Sequence, residues 1–497
     1  MMLTRAVIAV AFCFAIAIGS RAQGVSNGDA LCMPAPADTL ACPQMAVVHG
    51  DTCSHACAHP TTHFVHINGQ DSVPEYKKCK RHLYASALPT SCESSEIPDS
   101  IALWNNGRKS YWASMAETVG INVMINVADR IVLNEPFSKV TFKVIARNWR
   151  DGLVWDNDKF HTNLFAHPYH GSLYYSAARS LGLNFWQSAA YALGGSLMWE
   201  YGGEVEPPAI NDLVSTTVGG IAMGEVTHRI SELILNNGDR GWRRVLREVV
   251  AMAVNPMGGL NRILTGDAWR VRPRAPYYYD RNRVPVDFAV SAGLRYMSDD
   301  DGRLRHEFNP YLNIALEYGN ALGDTNRHPY DFFNMEGTFS LLPNQPFVSS
   351  FHLLGRIWGK AMECGKSNME VGFYQFFDYY DSEQLKNNAK STLYRYSEAA
   401  AFGPGIIIQF PESGVFGKLE QRLFLSGILL GGAKSDYYHF SVRDYNMGSG
   451  LSVKAKTHME FRRWGRLVLR AGYSRIFTWR GYEDKDYTHI DTVYLNA

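Results

Sequence analysis

The chain has 497 residues, with 49 Lys and Arg against 48 Asp and Glu, so its formal net charge is +1. That balance excludes the electrostatic footprint of a nucleic-acid-binding protein, and no nucleic-acid partner is expected. Aromatic residues make up 13% of the chain, which suits a protein anchored at a boundary between water and an apolar phase.

Residues 1–22 read as an export signal. Arg5 supplies the charge, Ala6 to Gly19 a short apolar core, and Ser20 and Ala22 the small residues of a cleavage site before Gln23. The apolar run is short for a membrane span. Elsewhere no stretch offers about 18 uninterrupted apolar residues, so a helical inner-membrane protein is not expected. An exported chain can still cross a membrane as a closed barrel, which needs no such run.

Residues 23–98 form an irregular Cys/His-rich segment with Cys32, Cys42, Cys53, Cys57, Cys79 and Cys92. An even count in an oxidising compartment points to disulfides, with every connectivity of six cysteines open. The alternative is a soft-metal site in Cys53, His55, Cys57, His59, His63 and His66, although that spacing fits no standard zinc pattern. The sequence identifies no metal or other cofactor.

From 99 to 267 the apolar period becomes helical. Tyr111 to Leu133 is mostly apolar, with Asn122, Asn126 and Asp129 forming a polar stripe on one side. Further helices are expected over Phe185 to Tyr201, ended by Gly202-Gly203, over Ile210 to Leu235, and from Trp242 to Val254, stopped by Asn255-Pro256. The third contains Gly220-Ile-Ala-Met-Gly224, a small-residue face that permits close helix approach. Residues 268–285 are a basic, aromatic linker suited to a membrane interface, or equally an ordinary charged connection.

From 286 to 497 the period becomes two. Leu451, Val453, Ala455, Thr457, Met459 and Phe461 alternate with Ser452, Lys454, Lys456, His458, Glu460 and Arg462, one side fit for an apolar phase and one for water. Similar runs begin at Val286, Leu312 and Met335 and cover about 347–360, 368–380, 393–410, 418–431, 437–461 and 465–479. Mixed charges on the polar side, aromatic pairs such as Phe376-Phe377 with Tyr379-Tyr380 at strand ends, and hairpins unbroken by helices favour a membrane barrel over a soluble sandwich. The expected class is α+β: a helical domain followed by an antiparallel transmembrane β-barrel of about 10–12 strands. The helices are expected to plug its lumen or dock on its periplasmic mouth.

The densest polar constellation runs from Trp155 to Glu232. His167 and His170, with Glu200 and Glu204, suit a general acid–base pair or a His/Glu metal site, and Asp212 and Glu225 stand nearby. The competing reading is a buried structural network: Asp212 as a helix N-cap, Glu200 satisfying backbone groups near Gly202-Gly203, and Arg179 neutralising an acid inside the bundle. The runs WDNDKFHTNLFAHPYHGSLYYSAARS, GSLMWEYGGEVEPPAINDLVSTTVGG and GEVTHR resemble the uncharacterised family known as domain of unknown function 3943. The resemblance covers about 105–265 and implies an exported Gram-negative envelope protein, without implying a reaction. The expectation is therefore an outer-membrane protein in contact with lipid or lipopolysaccharide and inserted by the barrel assembly machinery. Its role is structural or that of a small-solute conduit; the alternative is a lipid or lipopolysaccharide hydrolase using the His/Glu cluster.

Overall fold

The computed structural model describes residues 109–156, 158–271, 284–298, 306–323, 328–383, 394–434, 445–480 and 489–496, and the pairs 64–65 and 73–74. The export signal, the six cysteines of the segment 23–98 and linker residues 272–283 lie outside the described residues. Strands β1 (Phe64–Val65) and β2 (Val73–Pro74) pair antiparallel and belong to one compact unit. The helices and the large sheet belong to another.

The helical region contains α1 (Tyr111–Ala128), α2 (Phe142–Asp151), α3 (His167–Ser180), α4 (Phe185–Gly202), α5 (Ile210–Val214), α6 (Gly220–Ile234), α7 (Gly241–Val254) and α8 (Pro256–Leu264). α1 runs on through a π-helical turn, Asp129–Leu133, and a second such turn, Ser215–Gly219, joins α5 to α6. α4 starts with a capping box, in which Asn184 and Gln187 satisfy each other's backbone N–H groups.

α3 is the centre of this region. A Cβ on Gly171 would fall 1.7 Å from the backbone oxygen of Thr216, and one on Gly220 would fall 2.6 Å from Gly171. Gly224 lies against Tyr175 and Gly195 against Tyr174 in the same way. The small-residue face foreseen at Gly220 and Gly224 thus sets how closely α6 approaches α3. Gly171→Ala is expected to cost about 1–3 kcal/mol through overpacking, read as a lowered thermal midpoint of the purified protein; an unchanged midpoint would mean the helices separate freely.

Ten strands follow: β3 (Val286–Ser298), β4 (His306–Tyr318), β5 (Phe333–Ser340), β6 (Val348–Cys364), β7 (Ser367–Asp381), β8 (Arg395–Phe410), β9 (Phe416–Lys434), β10 (Tyr445–Phe461), β11 (Gly465–Arg480) and β12 (His489–Asn496). They form one antiparallel sheet in chain order, each strand paired with the next. The chain is therefore α+β, a helical region followed by a curled ten-stranded sheet.

Ion pairs give the direction of the curl. Strands lie about 4.8 Å apart, so five strand steps across a flat sheet cover about 24 Å. Arg422 on β9 nevertheless meets Glu317 on β4 at 2.8 Å, five strands away. Arg466 on β11 meets Asp287 on β3 at 2.6 Å, and Arg470 on β11 pairs with Glu336 on β5. Lys454 on β10 bridges Asp378 and Glu398. Only a sheet rolled with this charged side inward brings such pairs together. Among the described residues no ladder joins β3 to β12.

The rolled interior is packed. Tyr374, Phe376, Tyr396, Phe424, Ile428 and Ile476 form a core there with Ala321 and Phe332 from the β4–β5 connection. The opposite side alternates with this one: Leu423, Leu425, Leu429, Leu451, Val453 and Phe477 are exposed.

The helices pack on that outward side. Leu316, Phe333, Leu353, Phe377, Ala399 and Leu430 share a core with Tyr175, Val226 and Ile230. Leu316 is the neighbour of inward Glu317, Phe333 of inward Asn334, and Phe377 of inward Asp378. Phe160 stacks on Tyr379 and meets Tyr445 edge-on, Phe165 lies against Phe351, and Gln375 donates to the Val218 carbonyl at 2.8 Å. The expectation of a lumen plug is corrected: the interior is occupied by the sheet's own charges and rings, and the apolar flank of the bundle meets the apolar flank of the sheet. Phe377 and Tyr379 are likewise no interfacial girdle, because both are buried under the helices.

Candidate functional site

Two of the buried polar networks in the helical region take in the acids and histidines singled out by the sequence. The first is built where α4 ends, the chain crosses from Gly203 to Ala209, and α5 begins. Glu200, in the last turn of α4, is 1% exposed. Its Oε2 accepts the Ala209 backbone N–H at 2.8 Å, while Oε1 is buried with no hydrogen-bond partner. α5 starts at Ile210 after Ala209, which provides no side-chain cap. Asp212 is therefore not an N-cap, as its position before Leu213 implied. It sits in the first turn with its carboxylate on the side chain of His167.

The Asp212 Oδ1 lies 3.5 Å from His167 Nε2 and accepts from Asn211 at 2.8 Å. On the other ring edge, His167 Nδ1 meets the Thr216 hydroxyl at 3.2 Å. With its amide turned so that nitrogen faces the acids, Asn163 donates to Asp212 at 3.1 Å and to Asp156 at 3.2 Å. The Asp156 backbone N–H donates to Asn211 at 2.8 Å. His170 lies one turn further on, 2.7 Å from the Tyr174 hydroxyl and edge-on to Trp199. Glu204 follows α4 rather than continuing it, so the shared helix face expected for Glu200 and Glu204 does not exist.

Burial and like charge dictate the protonation of this cluster. Burial lowers the pKa of His167 to about 4, against the pull of Asp156. Burial lowers that of His170 to about 3, aided by any charge on His167. Burial raises Glu200 to about 8; the Ala209 N–H opposes this and the charge of Asp156 adds to it. Asp212 and Glu204 are raised by burial and then by neighbouring acids, Glu200 and Asp156 among them. At neutral pH the two imidazoles and the Glu200 carboxyl are therefore neutral, and Asp212 and Glu204 are shifted in the same direction as Glu200.

Glu225 belongs to a different network. It is fully buried on α6, accepts from Arg179 at 2.9 Å, from Arg229 at 2.7 Å and from the Tyr175 hydroxyl at 2.7 Å. Burial pushes its pKa up, but the two guanidiniums outweigh this and hold it down at about 2. Arg229 continues to Asp331 at 3.3 Å and to the Pro329 carbonyl at 2.9 Å, which ties α6 to the β4–β5 connection.

The structure thus brings His167 and Asp212 into direct contact, sets His170, Glu200 and Glu204 within electrostatic reach of that pair or of each other, and places Glu225 in a separate network. Sequence reasoning missed Asn163 and Thr216. Asn163 precedes His167 by one helical turn, a spacing that signals a shared side; Thr216 follows Asp212 at the same spacing. Among the described residues no three His, Cys, Asp or Glu side chains are arranged to hold a metal ion. The His167–Asp212 pair has the groups for proton exchange, an imidazole and a carboxyl of raised pKa.

The family described as Domain of unknown function (DUF3943) matches residues 152–257, a span that takes in both networks. No curated protein and no solved structure matches the chain.

Proposed function

For a chain whose residues 152–257 are a domain of the DUF3943 family, we propose the role of an integral outer-membrane β-barrel scaffold in a Gram-negative envelope. The export signal delivers it, the barrel assembly machinery inserts it, and lipid or lipopolysaccharide surrounds it. One observation carries this reading: the sheet is inside-out for water. Its charged residues pair across the rolled interior while Leu423, Leu425, Leu451 and Val453 stand exposed on the other side. A sheet folded for water buries the aliphatic side, and a transmembrane barrel exposes it.

The packed interior favours a structural role over a solute conduit. A barrel of about eight strands is just filled by side chains, and here Tyr374, Phe376, Phe424 and the buried Arg356–Glu370 pair occupy the added width. The purified protein is expected to resist carbonate extraction from membranes and to shift its gel mobility on boiling. In planar bilayers it is expected to pass no steady current. Release by carbonate would overturn the membrane reading, and stable single-channel steps would overturn the structural one.

The unneutralised carboxyl cluster favours a second reading, a hydrolase acting on envelope lipid through His167 and Asp212. An altered lipid profile in a deletion strain, restored by the native gene but not by His167→Ala, would support it. Restoration by both would remove it.

A further inference from the structure

We propose that the outer flank of the helical region is itself a lipid-binding surface, which lies against a bilayer carrying anionic phosphate headgroups. The proposal rests on the membrane reading of the sheet and extends it to the DUF3943 region.

Helix α1 supplies the decisive observation, because its amphipathicity is reversed. A helix on the surface of a protein in water turns its polar side out. In α1 the polar stripe points in. Asn122 donates to the Gly195 carbonyl at 3.2 Å, and Asn126 donates to the carbonyls of Gly203 at 2.8 Å and Ser138 at 3.0 Å. Glu117 lies 3.1 Å from Asn261 on α8. The side turned away from the protein carries Met115, Val119, Val123, Val127 and Ile131, all exposed and each one turn beyond the last. From Trp112 to Leu133 this ridge runs roughly 30 Å at the helical rise. Among the described residues no helix is long and apolar enough to cross a membrane; the ridge, backed by the inward Asn122 and Asn126, suits a helix lying along a lipid surface.

Two further helices show the same pattern. α4, which touches α1 where Tyr191 donates to the Tyr111 carbonyl, exposes Trp186, Leu193 and Leu197 along one line. α7 exposes Trp242, Val245, Val249 and Met252.

Exposed aromatic and cationic side chains of the helical region, two of the pairs at the starts of α1 and α7, select the occupant. Five exposed aromatics have an exposed cation within three residues in the chain, Lys109 near Trp112, Lys143 after Phe142, Arg150 after Trp149, Arg243 after Trp242 and Arg270 after Trp269, whereas Trp186 has none. Phe142 is 92% and Trp112 87% exposed. Arg243 lies over the Trp242 ring at 6.0 Å. Aliphatic ridges bounded by Trp and Arg or Lys match acyl chains bounded by phosphate headgroups. Phospholipids, through acyl chains and phosphate headgroups, match both the aliphatic ridges and the cations beside them, whereas the aliphatic ridge of a second protein copy matches only the former.

The test uses the full chain reconstituted in vesicles of phosphatidylethanolamine and phosphatidylglycerol containing a phospholipid with a photoactivatable acyl chain. Labelled peptides are then mapped. Label is expected on Trp112–Leu133 and Trp242–Met252 as well as on the strand stretches Leu423–Leu429 and Leu451–Val453. Arg243→Gln is expected to lower labelling of α7 about fivefold in the anionic vesicles while the strands are unaffected. Labelled strands with unlabelled helices would overturn this proposal and leave the membrane reading standing. Unlabelled strands and helices would overturn both. Protected helices in a protein that light scattering shows to be a dimer would make the flank an interface between copies, and would also overturn it.

Discussion

Glutamine in place of Glu225 is expected to destabilise the helical region by about 3–5 kcal/mol, the cost of breaking a buried ion pair from one side. The carboxylate is the shared anion of Arg179 and Arg229, and its relative exposure is zero. Glutamine keeps one acceptor oxygen but removes the charge, so two guanidiniums stay buried around a neutral group. Arg229 retains Asp331 and the Pro329 carbonyl, and Arg179 retains the Leu183 carbonyl at 3.0 Å. Urea unfolding followed by far-ultraviolet dichroism reads the loss. Arg179→Met in the same chain is expected to recover part of the loss, because it removes one of the two buried cations that the carboxylate served. An unchanged urea midpoint for Glu225→Gln would show that the network does not hold the helices together. The pH dependence has a defined sign. The native pKa lies below that of the unfolded chain, so the unfolded state binds more protons between about 4.5 and about 2. Stability from this group is complete above that window and is lost as pH falls through it.

Glu200 is expected to behave in the opposite sense. Its native pKa of about 8 lies above the unfolded value of 4.5, so the folded protein binds more protons in between. Stability is then greatest below about pH 4.5 and declines as pH rises towards 8. At about 1.4 kcal/mol per pKa unit, the decline reaches at most about 5 kcal/mol; Asp212 and Glu204 are shifted in the same direction, first by burial. Glu200→Gln is expected to flatten this slope and to leave the protein more stable than the parent at pH 8. The amide oxygen still accepts the Ala209 N–H, and no proton has to be held. Glu200→Ala is expected to cost about 1–3 kcal/mol at pH 5, because that buried N–H loses its acceptor. Amide hydrogen exchange in α4 and α6 at pH 5 and pH 8 distinguishes the three proteins. Equal pH slopes in parent and Gln variant would refute the protonated cluster.

The strands were legible because period two survives every substitution that keeps one side apolar. The runs at about 465–479 and 368–380 became β11 (Gly465–Arg480) and β7 (Ser367–Asp381). α1, α4 and α7 were legible for the analogous reason. α3 was not, because HPYHGSLYYSAARS has a proline at its second position and few aliphatic residues. What folds it is the backbone approach of Gly171 to Thr216, a contact that local periodicity does not encode. The place of the helices was hidden for a different reason. Alternation shows that Leu316 and Phe377 share a side opposite Glu317 and Asp378, but an apolar side can meet helices as readily as lipid. The gathering of the acids depended on the crossing from Gly203 to Ala209, which returns the chain so that Asp212 faces His167. Glu225 sits thirteen residues beyond Asp212 and left that cluster for the guanidiniums on its own flank.

The charged pairs inside the rolled sheet also constrain the order of events during biogenesis. Asp287 and Arg466 are separated by 179 residues, and Arg470 and Glu336 by 134. Closing such distant loops is slow, so the earliest hairpins must wait, with their acids uncompensated, until the penultimate strand is delivered. The helical region ahead of them has the Arg179–Glu225 pair within itself, and only its docking, through Arg229 to Asp331 and the shared apolar core, waits for the strands. Maturation would then proceed in two tempos, an early local folding and a late electrostatic locking of the rolled sheet.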